Sequence, residues 1–395
     1  MPNLKNFFHQ NLDLIFVSLF LALTLSLLWI PPRWDERVYL DFYYFPLNPT
    51  GQWVPHPPLL WQLLATYTHV WSYWHWRLGL IPSLLWFLLA VFNPVPRMAI
   101  LTCSMASMLF LFYACKRLYE AKIARLAVAV LATNWLYMLL GSLVMFTDGP
   151  MTAFMTISIM SFLCWLKLDE QKFLLISGLG LALASLTKYT AAPVILATFF
   201  VWLAVWEKPL DRTRISKTLG VIGLSLLPLA VWFYMLYQNY GNFVGYYSSL
   251  YNYVPPTNIF TVFSPLYSTS LYSRSYLPIY AFNIGYYALW TLALASFPLI
   301  SWVRQHQFDY DSKLLLAHIG VIFVLYVMIN KQDIGNFRYV LPMAPSLAIV
   351  SAKNMVKEKT WVNFLILFAQ FLCASVITYI GLVLYLFPSV PPRIF

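Results

Sequence analysis

Apolar runs long enough to cross roughly 30 Å of hydrocarbon recur along most of the chain, separated by short polar stretches. The first is Leu12–Ile30. Later runs are about Met98–Cys115, Ala124–Met145, Met151–Leu166, Phe173–Thr187 and Tyr189–Trp206. The series ends with Thr218–Tyr237, Leu277–Val303, Leu314–Asn330, Tyr339–Ala352 and Trp361–Phe387. Continuous apolarity over such lengths predicts transmembrane helices rather than strands or amphipathic surface helices. The pattern therefore predicts an all-α polytopic membrane protein with about 11 spans and a single transmembrane domain over residues 1–395.

Two further segments bear on the count. Pro57–Trp74 is amphipathic and rich in Trp, Tyr and His, and Leu78–Phe92 is apolar. A lone crossing by Leu78–Phe92 would invert every later loop. Parity survives if both segments lie along the outer interface or if both cross as a hairpin, giving 13 spans. The interfacial reading is the expectation. Two outer loops then stand out, residues 31–97 and 238–276. The second contains "YGNFVGYYSSLYNYVPPTN", whose aromatic and small polar side chains suit either an interfacial aromatic belt or stacking on a sugar ring.

Composition agrees with the pattern. Hydrophobic residues make up 61% of 395 and charged residues 10%, against about 45–50% and about 25% in soluble domains. Mean hydropathy is +0.69. The net charge of +11 is not a nucleic-acid signature, because the basic residues sit in short patches between apolar runs. With the N-terminus in the cytoplasm, inner connections hold Lys5, Lys116, Arg117, Lys122, Arg125, Lys167, Lys172, Lys208, Arg212, Arg214, Lys217, Arg304, Lys313, Lys353, Lys357 and Lys359. The much longer outer loops hold Arg33, Arg37, Arg77, Arg97 and Arg274. That density contrast sets the orientation. The first span has no small-residue cleavage site and is expected to be retained. Cys103, Cys115, Cys164 and Cys373 stand singly in apolar segments, without metal or redox spacing, and read as small packing residues.

Ionisable residues near span ends are functional candidates in a chain this apolar. On the outer side these are Asp35 and Glu36 in "WDERVYL", His56 in "PHPPLLWQL", Asp148 in "MFTDGPMTAF", Lys188 in "LASLTKYTAAP", and Arg338 with Tyr339 in "FRYVLPMAP". Each also has an ordinary structural role open to it. Arg33 and Arg37 can neutralise Asp35 and Glu36. His56 can be incidental to an interfacial turn, Asp148 is expected to cap the helix that follows, Lys188 can snorkel, and Pro342 and Pro345 kink the span behind Arg338. Together they place three acids and at least two cations on one face of the membrane. That set suits sugar transfer from a lipid-linked phosphate. The phosphate leaving group needs cations rather than a proton, and Arg suits bidentate phosphate contact. The incoming hydroxyl needs a carboxylate base, and developing oxocarbenium charge favours a nearby carboxylate.

In this order the motifs resemble the GT-C type integral-membrane glycosyltransferases, close to the protein O-mannosyltransferases and the bacterial lipid A aminoarabinose transferases. That pattern has an acidic pair after the first span, then "(K/H)PPL", a basic "RRLF", a "D-x-P" turn, a "TK" turn and a late "RYLLPxxP". Here they read Asp35–Glu36, His56–Leu59, "KRLYEAKIA" from Lys116, Asp148–Pro150, Thr187–Lys188 and Arg338–Pro345, spanning about Leu12 to Ala352. The resemblance implies a GT-C-like fold with interfacial helices in the first outer loop and transfer of a sugar from a polyprenyl-phosphate donor to a lipid, glycan or protein hydroxyl, with inversion. It implies catalytic roles for Asp35, Glu36 and Asp148, and substrate binding by His56, Lys188, Arg338 and Tyr339. The site would face outward from the plasma (inner) membrane. The chain departs from the pattern in an extended first loop, 57–97, and an expected lack of a C-terminal extramembrane domain, which leaves acceptor choice open. The sequence establishes no cofactor, and a divalent metal stays open. Some relatives contain or use a divalent metal, and Asp35, Glu36, His56 and Asp148 could form a hard-cation site. The alternative function is a transporter or flippase for a lipid-linked or small anionic solute, which predicts charges near the midplane and paired halves. A non-catalytic partner in envelope assembly is a third reading.

Overall fold

A computed structural model of the chain describes residues 4–28, 95–143, 147–207, 211–241, 284–285, 309–329 and 337–383. These residues are almost wholly helical. In chain order the helices are α1 (Leu4–Leu27), α2 (Val95–Leu118), α3 (Ala121–Ala132), α4 (Asp148–Leu168), α5 (Gln171–Thr187), α6 (Ala191–Val205), α7 (Arg212–Tyr240), α8 (Tyr310–Ile329), α9 (Ala344–Met355) and α10 (Thr360–Val383). Most of the apolar runs that fall in these ranges become helices, but α1 starts at Leu4 rather than Leu12 and α7 at Arg212 rather than Thr218. The run Leu277–Val303 apart from residues 284–285, both segments of the first loop and nearly all of the second outer loop lie outside the described residues.

Two expected spans are not continuous helices. The run Ala124–Met145 holds α3, which stops at Ala132, and a π-helical turn at Tyr137–Gly141. Asn134 causes the break. Its Oδ1 accepts from the backbone N–H groups of Leu136 and Tyr137, both at 3.1 Å, so a side chain replaces the carbonyls a continuing helix would supply. The run from Tyr339 begins as a 3₁₀ turn, Phe337–Met343, and turns α-helical only at Ala344. Pro342 and Pro345 lack the N–H that an unbroken α-helical ladder would require there.

Four helical stretches are long and apolar enough to cross a membrane: Arg97–Leu118, Asp148–Leu168, Arg212–Gln238 and Thr360–Ile380. Shorter apolar helices accompany them. Large apolar side chains such as Leu109, Leu175, Leu224 and Leu365 face outward, while Asp148, Lys188 and His318 are buried. That inside-out distribution suits a lipid surround, and the chain is a multi-pass integral membrane protein.

The core is stitched by short polar contacts and aromatic stacking. Phe162 of α4 stacks on Phe199 of α6 with ring centroids 3.9 Å apart. Trp202 Nε1 donates to the Leu314 carbonyl at 2.7 Å, tying α6 to α8. His318 Nδ1 and Ser346 Oγ share a hydrogen bond of 2.8 Å between α8 and α9. The antiparallel pair α4–α5 makes the most extensive contact. Gly180 permits it: a Cβ there would lie 2.7 Å from the Ser158 backbone nitrogen. Nearby, Ser158 Oγ donates to the Ser177 carbonyl at 2.8 Å. This close crossing brings the start of α4 and the end of α5 to the same end of the bundle.

Candidate active site

The start of α4 is shaped by Thr147, Asp148, Gly149 and Pro150. Thr147, rather than Asp148, takes the cap position, and Asp148 is the first helical residue. The expectation that Asp148 itself caps the helix is therefore corrected. Pro150 fits because the first turn needs no donor from it. Gly149 fits for a steric reason. A Cβ there would sit 2.9 Å from the Leu140 carbonyl oxygen and 3.0 Å from that of Gly141. The start of α4 thus lies directly against the π-helical turn, which is itself anchored by Tyr137 Oη to Ser107 Oγ at 2.6 Å and by Ser142 Oγ to Ser104 Oγ at 2.7 Å.

Asp148 is completely buried. Its carboxylate lies at a helix N-terminus, where the unsatisfied N–H groups favour negative charge. Lys188 follows the last residue of α5 in an extended conformation. Its Nζ donates to Asp148 Oδ1 at 2.8 Å, with only 7% of the lysine side chain exposed. Arg338, in the 3₁₀ turn before α9, places its Nε 3.6 Å from Asp148 Oδ2, an ion-pair contact with the arginine 19% exposed. Tyr339 adjoins both cations. Its ring centroid is 4.6 Å from Lys188 Nζ and 5.5 Å from Arg338 Cζ. A desolvated ammonium near an aromatic ring gains about 2 kcal/mol or more from the ring's negative face.

Four of the seven candidate residues are thus brought together from three separate segments. Asp35, Glu36 and His56 lie outside the described residues. Sequence reasoning missed two neighbours. Tyr326 of α8 has its ring centroid 5.7 Å from that of Tyr339, and its Oη is 3.8 Å from Met151 Sδ. Gly149 was quoted as part of a turn, without the backbone approach that requires it. A tyrosine inside an apolar run was the one available signal for Tyr326. Gly149 had no signal beyond its turn, because its neighbours are backbone oxygens of another segment.

As to metal, among the described residues no three His, Cys, Asp or Glu side chains are grouped to hold an ion. Asp148 is engaged by Lys188, so the described residues do not make a hard-cation site. The four cysteines are free thiols.

The arrangement is a buried acid–base network at one end of a membrane bundle, with an aromatic ring beside both cations. Residues 79–233 match the sequence family described as dolichyl-phosphate-mannose-protein mannosyltransferase. That segment contains Asp148 and Lys188. The fold resembles ArnT from Cupriavidus metallidurans. With the apo crystal structure the TM-score is 0.63 at 13% identity, over 90% of this chain and 62% of that one. With the structure bound to undecaprenyl phosphate it is again 0.63 at 13%, over 93% and 64%. The chain therefore spans less than two thirds of the length of these structures. No curated protein matches it.

Proposed function

We propose that this chain is a glycosyltransferase that moves a sugar from a polyprenyl-phosphate donor to an acceptor hydroxyl at the outer face of the plasma membrane, with inversion at the anomeric carbon. The observation that carries the reading is the meeting of Asp148, Lys188, Arg338 and Tyr339 at one end of the bundle. The matched family segment supports sugar transfer, and the undecaprenyl phosphate bound in a structure of the same fold supports a lipid phosphate as donor.

The acceptor oxygen attacks the anomeric carbon and its proton passes to Asp35, with Glu36 supporting. The bond from that carbon to the phosphate oxygen breaks, and the electron pair leaves with the polyprenyl phosphate. Lys188 and Arg338 stabilise the phosphate charge. Asp148 holds Lys188 in place, a positioning role. His56 contacts the donor from the first loop. The N-terminus is cytoplasmic.

Transfer from a polyprenyl-phosphate sugar by purified Asp35→Asn in liposomes tests the assignment. Loss of about 10²–10⁴-fold is expected for removal of a general base, and activity equal to the parent would overturn it. Uptake of a solute by proteoliposomes with no covalent product would favour a transporter instead.

A further inference from the structure

At the end of the bundle opposite Asp148, the first turns of α3 and α10 and the lower part of α1 line a half-open cavity of about 480 Å³. It is separated from Asp148 by the length of α4, whose 21 residues rise about 30 Å. The polar lining is Asn11, Asp13, Lys122, Arg125, Thr360 and Asn363. Helix α1 is kinked there, with Asn11 at φ −124° and ψ 17°.

We infer that this cavity binds the headgroup of a zwitterionic aminophospholipid, taking its phosphate on Lys122 and Arg125 and its ammonium on Asp13 and Asn363. The lining has both halves of such a partner. Arg125 lies 3.5 Å from Asp13 across the cavity wall, an ion pair longer than a hydrogen bond. Lys122 Nζ also donates to the Val356 carbonyl at 3.2 Å, which fixes its ammonium at the rim. Asn363 is buried, and its Nδ2 donates to the Met355 carbonyl at 2.9 Å. That bond settles the amide orientation, because a flipped amide would set oxygen against oxygen. Its Oδ1 accepts no hydrogen bond among the described residues. A buried acceptor of this kind calls for a donor, which an ammonium supplies and a quaternary choline does not.

The surroundings point to a lipid rather than a soluble phosphate. Leu14, the residue after Asp13, is 53% exposed, and Phe364 and Leu365, which follow Asn363, are 41% and 51% exposed. These exposed apolar side chains follow lining residues on α1 and α10, a surface on which acyl chains would lie. Lys357 and Lys359 add exposed positive charge beside it. The inference is independent of the sugar-transfer reading.

Native mass spectrometry of the delipidated full chain in detergent tests it, titrating phosphatidylethanolamine, phosphatidylcholine of the same acyl chains, and soluble phosphoethanolamine. Phosphatidylethanolamine is expected to bind about tenfold more tightly than phosphatidylcholine, the worth of one charge-assisted hydrogen bond. The double variant K122Q/R125Q should lose that binding about tenfold or more, and K122R/R125K should keep it. Equal binding of the two lipids, equal binding by K122Q/R125Q, or soluble phosphoethanolamine binding as tightly as the lipid would each overturn the inference. The parent's own discrimination between the lipids decides the matter even where a variant fails to fold.

Discussion

The two ends of the helical bundle both hold ion pairs, buried around Asp148 at one end and largely exposed at the other, apart from the buried acids Asp311 and Asp13. At one end Asp148, Lys188 and Arg338 form a network whose acid is fully buried. At the other, Arg117 and Lys172 meet Glu170, Arg214 meets Asp169 and Lys353 meets Asp309, and each of these pairs has at least one partner well exposed. Water and salt screen the exposed pairs, so they contribute little. The buried network is a different case. Its charges are costly to desolvate, and removing one member strands the others. The exposed pairs join the ends of several helices, the region where basic residues are concentrated, and act as a solvated rim.

Breaking the buried end should give the largest effect. Asp148→Ala leaves Lys188 without its carboxylate and should cost about 3–5 kcal/mol of stability, read as a fall in melting temperature in detergent. Replacing both groups with apolar residues of similar size, Asp148→Leu with Lys188→Met, should recover most of that stability while transfer stays lost. If the double variant also recovers transfer, the network has no functional role.

Gly149→Ala is the next test. The added Cβ meets two carbonyl oxygens at about van der Waals overlap, and the strain should cost about 1–3 kcal/mol and shift Asp148. A fall in transfer larger than the fall in stability would separate positioning from folding.

Tyr339→Leu removes the ring beside Lys188 and Arg338. A loss of about 1 kcal/mol in donor binding is expected, seen as a KM increase with kcat nearly unchanged. Tyr339→Phe should retain most of the parent's KM, because the ring face, rather than the hydroxyl, meets the cations.

The smallest effect belongs to the exposed end. Arg117→Gln should leave the melting temperature almost unchanged, and added salt should erase any difference. Glu170 sharpens this arm. A hydrogen bond from Lys172, aided by the nearby Arg117, holds its carboxyl below the ordinary value. Its contribution is present above the ordinary glutamate pKa of about 4.3 and is lost as pH falls through the lowered folded value. A pH titration of the melting temperature that is the same in the parent and Glu170→Gln through this window would show that the rim contributes nothing.

The contrast also separates what pattern could reveal from what packing decided. Asp148, Lys188 and Arg338 were legible as anomalies, because ionisable groups are costly beside long apolar runs. The helices at α2, α4–α7 and α10 were legible because a run of the required length has few other stable forms in a membrane. The breaks at Asn134 and at Pro342 were harder to read. Asn134 looks like one more residue of an apolar stretch until its side chain is seen to take over two backbone donors. Pro342 signals a kink, but not the 3₁₀ turn that sets Arg338 beside Asp148.

By itself, then, the sequence determined a helical membrane chain and a short set of suspicious polar residues, since hydropathy and charge are local properties that survive in one dimension. Only the tertiary structure decided that the acid, the lysine, the arginine and the tyrosine are neighbours. Their meeting depends on Gly180 lying against the Ser158 backbone and Gly149 against Leu140 and Gly141. Those close approaches join separate helical segments across a break or a turn, and no periodicity within a single run encodes them.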